Sequence, residues 1–257
     1  MNFCVLGSGS KGNCTLVESG STAVLIDAGF SGKEISRRLA LIDHSVEDLS
    51  AILVTHEHGD HVCGVGVLSR RCRLPVYANQ GTHRAAGPRV KTLHKRVEFG
   101  TGTSFVVGDL TIHPFQVSHD TADPVGFVVS DGDTALCYCT DTGQVTRLID
   151  YHVRSCRALI LEANHDPQML MDGPYPLPLK QRVRSKQGHL ANGDAARFLA
   201  GLGDSSLEYV VLAHLSETNN LPEAVLARVR RELEDVEFSF EILLASQKDP
   251  TGLISLG

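Results

Sequence analysis

Apolar residues fall into short runs separated by clusters of glycine, serine, asparagine and aspartate. Phe3 to Leu6, Cys14 to Glu18 and Thr22 to Ile26 predict strands, the last two joined as a hairpin through Ser-Gly. Ala51 to Val54 and Ala158 to Leu161 are continuous apolar runs of the length expected for buried strands. Pro75 to Ala78 and Tyr209 to Leu212 predict two more. Alternating segments lie near 103–107 and 110–117, and a closing strand near 238–244. Val125 to Ser130 and Thr134 to Tyr138 read as strands joined by the turn Asp131-Gly132-Asp133. The second of these puts Cys137 and Cys139 on one side, where both are expected to pack in a core.

Helical spacing appears between these runs. Ser31 to Leu41 predicts a helix, with Ser31 and Glu34 as a capping box and Ile35 and Leu39 as its buried stripe. Residues 62–70 predict a short helix, and another ends near His152. A third is expected after Asn192 as its cap. The last runs from Leu221 to about Leu233, with Val225, Leu226, Val229 and Leu233 on one face.

Composition narrows the class. The 257 residues, 42% hydrophobic and 21% charged, suit a globular chain of one or two domains. A net charge of -6 gives no global attraction to nucleic acid, although bound cations would add local positive charge. Cysteines 4, 14, 63, 72, 137, 139 and 156 are odd in number and contain no C-x-x-C pair. That pattern argues against a disulfide framework or a thiolate zinc site and for reduced thiols in the cytoplasm. No basic segment followed by a long apolar one opens the chain, and no apolar run reaches membrane-spanning length.

The densest chemistry follows the run at Ala51 to Val54. Thr55-His56-Glu57-His58-Gly59-Asp60-His61 crowds imidazoles and a carboxylate behind a buried strand. Protonated imidazoles repel one another, and a divalent cation, which prefers these donors, removes the conflict. In extended backbone His56 and His58 point the same way and reach one ion. A bend into a helix at Gly59 turns Asp60 and His61 elsewhere, toward a second ion.

This stretch resembles the H-x-H-x-D-H signature of the metallo-β-lactamase superfamily. The resemblance implies an α/β protein, a four-layer αββα sandwich in a single domain over 1–257, with a two-metal site at one edge of its sheets. It further implies a ligand set of His56, His58 and His119 on one ion and Asp60, His61 and His214 on the other, with Asp141 shared. Asp27 matches the family's aspartate that hydrogen-bonds near the histidine loop, and a cap on the following helix is its other reading. Imidazole and carboxylate donors suit zinc first, and manganese or iron as well. Asp60 would orient the attacking water in addition to binding metal.

The phosphodiesterase branch of the superfamily has E-A-x, a histidine ahead of a helix, and H-x-S. Here these are Glu162-Ala163, His189 and His214-Leu215-Ser216. By that resemblance Glu162 orients His189 as the general acid for a poor leaving group, help worth about 10²–10⁴-fold. Neither the long arm of tRNA-processing enzymes nor the inserted cap of β-CASP nucleases has room here. The chain looks like the compact YycJ (WalJ)-type family along nearly its whole length, through G-S-G-S-K-G-N-C, T-H-E-H-G-D-H, V-S-H-D, E-A-N-H-D, K-Q-R-x-x-S-x-x-G-H-L and A-H-L-S-E-x-N-N. That family implies 5′-to-3′ exonuclease action on DNA.

Basic residues leave two readings open. Arg84, Arg89, Lys91, Lys95 and Arg96 are a solvated face or a rail for a phosphate backbone. Lys180, Arg182, Arg184 and Lys186, just before His189, are placed to guide a strand to the acid. The loop Gly7 to Asn13 is a tight turn or a wall of the cleft, and His165 faces the cleft or braces a loop. The rival functions are an ester or thioester hydrolase on the same fold, a phosphodiesterase acting on RNA, and a metal-binding regulator without turnover.

Overall fold

The computed structural model describes residues 1–257. Its first sheet holds β1 (Asn2–Gly7), β2 (Cys14–Ser19), β3 (Thr22–Ile26), β4 (Ala51–Leu53), β5 (Pro75–Ala78) and β6 (Lys95–Glu98) in that spatial order. The second holds β7 (Phe105–Val107), β8 (Leu110–Gln116), β9 (Val125–Ser130), β10 (Ala135–Cys139), β11 (Ala158–Glu162), β12 (Tyr209–Ala213) and β13 (Glu241–Leu244), also in order. The short β14 (Ile254–Ser255) returns to pair with β1 and makes each sheet seven-stranded. Each sheet begins antiparallel and becomes parallel, from β3 to β6 in one and from β10 to β13 in the other.

Alternation along the strands builds the layers. In β1, Phe3 and Val5 face a central core shared by both sheets, while Cys4 and Leu6 face an outer one. In β10, Leu136 and Tyr138 join the central core, and Cys137 and Cys139 turn to the opposite outer core. The first outer core is covered by α1 (Gly32–Ala40) through Ile35 and Leu39, with α2 (Gly59–Val62), α3 (Val65–Cys72) and α4 (Gln80–Val90) contributing Val62, Leu68 and Ala86. The second is covered by α5 (Arg147–Val153) through Ile149, by α8 (Asn192–Ala200) through Ala195 and Leu199, and by α9 (Pro222–Leu233) through Val225 and Val229. The result is a four-layer αββα sandwich. Between β11 and α8 lie α6 (Pro167–Asp172) and α7 (Leu177–Val183).

Several local expectations change. Ser31 Oγ accepts from the Glu34 amide, but Glu34 turns to Arg37 and Arg38 instead of completing a reciprocal box. Ala191 occupies the N-cap of α8 without a side-chain bond, because Asn192 is buried and exchanges amide bonds with Asn220. Leu226 is only half-buried on α9. Asp27 does not cap α1, since Ser31 does. No helix is long and apolar enough to cross a membrane.

Candidate metal centre

The loops that follow β3, β4, β8, β10 and β12 meet at one edge of the sandwich, and β11 ends there at Glu162. Asp27 (φ 59°), Asp141 (φ 54°) and His214 (φ 57°) each follow a strand in the left-handed region. Such backbone costs about 1–3 kcal/mol per residue and persists only where its surroundings enforce it. The enforcement on the first sheet is visible. The Thr55 amide donates to Asp27 Oδ1 at 2.9 Å, the Ala28 amide to the His61 carbonyl at 2.9 Å, and the Asn13 amide to the Asp60 carbonyl at 2.8 Å. Gly29 permits this approach, because a Cβ there would lie 1.7 Å from the Asp60 carbonyl oxygen.

Four sets of donors converge, each set within 4.8 Å: His56, His58 and His119; Asp60, His61 and His214; His56, His61 and Asp141; and Asp141, Glu162, His189 and His214. The ring nitrogens are sorted by what lies behind them. His61 Nδ1 donates to Asp27 Oδ2 at 2.7 Å, His119 Nδ1 to the Gly188 carbonyl at 3.0 Å, and His214 Nδ1 to Glu162 Oε1 at 2.9 Å. His56 Nδ1 meets Thr55 Oγ1 at 3.0 Å, and that hydroxyl donates onward to Asp27 Oδ2 at 2.8 Å. Each bond leaves the Nε2 lone pair of its ring facing inward. His58 is the exception and turns Nδ1 inward, 3.3 Å from His119 Nε2.

Inside the cluster the donors lack partners. His56 Nε2, His214 Nε2 and Asp141 Oδ2 are buried and make no hydrogen bond. Asp141 Oδ2 is 3.3 Å from His61 Nε2, and Asp60 Oδ2 is 3.7 Å from both His61 Nε2 and His214 Nε2. Buried polar atoms left unpaired cost about 1–3 kcal/mol each. Imidazole and carboxylate donors turned inward in this way fit divalent cations, whose charge would offset that cost.

Electrostatics carry the same tension. Burial, reinforced by the imidazoles of His61, His119 and His58, pushes His56 well below the ordinary histidine range. Burial would also lower His61, but Asp141 and Asp27 outweigh it and push that ring up to about 9. His214 is raised in the same manner by Asp141, Asp60 and Glu162. Burial opposes the charge on Asp60, yet His214 and His61 hold it well below the usual carboxylate range.

Beside the cluster, Glu162 is a fully buried hub. Oε1 accepts from His189 Nδ1 at 2.7 Å and from His214 Nδ1, while Oε2 accepts the amides of Thr142 (2.9 Å) and Leu190 (3.1 Å). Those partners overcome its burial and keep it ionised. His189 remains partly open, with its side chain 22% exposed.

The basic residues divide. Of the group near His189, Arg182 forms a two-pronged pair with Asp120, Lys180 donates to the Met171 carbonyl and Arg184 reaches Met171 Sδ. Only Lys186 is left without a side-chain bond. Arg84, Arg89, Lys91, Lys95 and Arg96 are exposed on α4 and β6, and Arg89 reaches the Glu57 carbonyl beside the histidine loop. His165 is buried with its Nδ1 unpartnered, and burial lowers it to about 4.

Asn13 and Ser8 join the two halves of the cluster, a role the glycine-rich loop signalled only as a wall. Asn13 Nδ2 stands 3.0 Å from His61 Nε2 and 3.5 Å from Asp60 Oδ2. Ser8 Oγ donates to Asn13 Oδ1 and accepts the His214 amide, both at 2.9 Å. Gln247, beyond β13, holds the same loop through Lys11 and Gly12.

Comparison with known proteins gives one consistent neighbourhood. Residues 22–215 match the β-lactamase superfamily domain. The chain is 37% identical over 257 residues to a Bacillus anthracis protein named exodeoxyribonuclease YycJ, covering 98% of this chain and 97% of that one. It is 38% identical over 226 residues to exodeoxyribonuclease WalJ of Streptococcus pneumoniae, covering 86% and 84%. Among solved structures, the metallo-β-lactamase fold protein YhfI from Bacillus subtilis superposes with a TM-score of 0.73 at 20% identity, over 97% of this chain and 98% of that one.

Proposed function

The chain belongs to the β-lactamase superfamily, and from that premise we propose that it is a dinuclear metal-dependent hydrolase that removes nucleotides from the end of DNA. The observation that carries the choice of bond is the Glu162–His189 pair beside the donor cluster. An alkoxide leaves poorly without a proton, and a histidine oriented by a buried carboxylate is placed to supply one. Relatives named exodeoxyribonucleases over nearly the full length support the same choice.

In this reading His56, His58 and His119 would hold one cation and Asp60, His61 and His214 the other, with Asp141 offering its carboxylate to the pair. Zinc, manganese and iron all suit such donors. When bound, the pair would polarise the phosphoryl oxygens and yield a nucleophile from water at neutral pH. Asp60, ionised and half open to the cleft, accepts a hydrogen bond from the attacking water and aims it at phosphorus. His189 keeps its Nδ1 proton on Glu162 and passes its Nε2 proton to the departing oxygen. Arg89 and its basic neighbours on α4 and β6 run a phosphate chain toward the histidine loop. One catalytic domain is sufficient for this chemistry, and free thiols throughout suit the cytoplasm.

The test loads purified protein with zinc or manganese and offers end-labelled linear DNA, matching RNA and a chromogenic thioester. The expected result is nucleotide release from DNA that falls about 10²–10⁴-fold in His189→Ala. Rapid thioester turnover indifferent to His189, with DNA left intact, would overturn the proposal.

A further inference from the structure

A cavity of about 160 Å³ lies against His189, and its lining comes from two sides of the chain. Tyr175, Leu179, Arg182 and Val183 bound it from α7 and the turn before it. Ser10, Asn164, Ser216 and Asn219 bound it from the loops that carry the metal centre. It is distinct from the wider cleft of about 440 Å³ on the Ser118–Gln187 side of His119.

Two of the polar groups in this lining are built but not used. Asn219 is 1% exposed, and its side chain makes no hydrogen bond within the protein. Its Oδ1 is buried without a partner and lies over Gly173, where a Cβ would come within 2.5 Å. Asn164 is 5% exposed and donates Nδ2 to the His214 carbonyl at 2.9 Å, leaving its Oδ1 free. Interior amides are ordinarily paired, so a buried amide oxygen left without a partner, in a lining that also holds the spare oxygen of Asn164, marks a place for a polar ligand. The one guanidinium there, that of Arg182, is already paired with Asp120. That balance favours a sugar and its ester oxygens over a run of phosphates.

We propose that this cavity receives the sugar of the strand's terminal nucleotide, and that α7 stops the chain there and so makes the enzyme require an end. The inference rests on His189 being the acid. The acid protonates the oxygen that departs, so the departing alcohol lies on the cavity side. Water oxygen bonds to phosphorus, the bond from phosphorus to the 3′ oxygen breaks, and that oxygen takes the His189 proton. The products are the terminal nucleotide with a free 3′-hydroxyl and a shortened strand with a 5′-phosphate. With the 3′ oxygen as the departing one, digestion starts at the 5′ end. A space of about 160 Å³, about five waters' worth, holds one sugar unit and not a run of nucleotides.

The test uses the metal-loaded full chain with uniformly labelled linear single strands and closed circular single strands. Wild type should release mononucleotides only and leave circles intact. Opening the wall in Tyr175→Ala/Leu179→Ala should yield di- and trinucleotides or nick circles. Asn219→Ala should raise KM for linear DNA about 2–10-fold, the loss of one hydrogen bond, with smaller change in kcat. Leu179→Trp should block DNA while metal content and the thermal melt stay those of wild type, which separates a filled cavity from a misfolded chain. If the opened variant, with full metal content, still gives only mononucleotides and spares circles, α7 is not the stop. If wild type degrades no DNA at all, the proposed function fails instead.

Discussion

The two sheets contribute to the donor cluster in opposite ways. The first supplies His56, His58, Asp60 and His61 from one loop after β4, braced by Asp27 behind it. The second supplies His119, Asp141, Glu162 and His214 from the ends of four different strands. In the first, geometry is local, and the turn at Gly59 divides the donors between two directions. In the second, position depends on strand register, since β10, β11 and β12 are parallel neighbours that bring their carboxyl ends level. The first sheet thus behaves as a preformed ligand loop. The second carries the proposed proton-transfer pair, with Glu162 bonded to His214 and His189 together.

The strongest test of this division removes one side chain from each sheet. Asp60→Ala takes away a donor and the group that aims water, and turnover should drop at least about 10³-fold, several kcal/mol of barrier. Its loss should be the same for DNA and for an activated aryl phosphodiester, because it acts on the nucleophile. His189→Ala should spare the aryl ester, whose phenolate leaves unaided. Equal losses on both substrates in both variants, measured as kcat/KM, would erase the distinction.

The buried carboxylates behind the histidines sharpen it further. Asp27→Asn leaves the fold of the loop in place but weakens the bond to His61 Nδ1. Metal affinity should fall about 10–100-fold by competition with a chelator. At saturating metal, kcat should recover. Glu162→Gln should lower affinity through His214 and also keep kcat low when metal is saturating, because His189 loses its charged partner. Full recovery of kcat in Glu162→Gln would mean that the hub serves only the donors.

Legibility followed the same line. The histidine loop shows itself in sequence because its chemistry is contiguous, and the strand ahead of it is a plain apolar run. His119, Asp141 and His214 are single polar residues at strand ends. They gain meaning only when the family pattern and the parallel register bring them together. Other segments hid for physical reasons. The helix α4 contains Gly81, Gly87 and Pro88, poor helix formers held by Asn79 capping and by packing of Ala86 and Val90. The edge strand β6 carries Lys95 and Arg96 and shows little apolar alternation. The helix α7 is short, begins among prolines and buries only Val183. Asn13 stood in a loop whose glycines and serines read as flexibility. Its hydrogen bonds to residues remote in the chain could not be read from the loop itself.

The mildest probe of the comparison is pH. In the metal-free chain His61 titrates at about 9, above the roughly 6.5 of an unfolded histidine, because Asp141 and Asp27 face it from both sheets. Its contribution to folding is therefore complete below pH 6.5 and disappears as pH rises through 9. A cation must displace the same proton from Nε2, so metal affinity should climb between pH 6.5 and 9 with release of a proton. Calorimetry in buffers of different ionisation heat counts that proton, and thermal melts of stripped protein across the same window read the stability loss. In Asp27→Asn the ring loses one of its three acidic neighbours, the titration moves down, and both slopes shift to lower pH. If the window stays near 9 in that variant, Asp141 and Asp60 set the charge of His61 without Asp27. The brace on the first sheet would then hold the ring's orientation without tuning its proton.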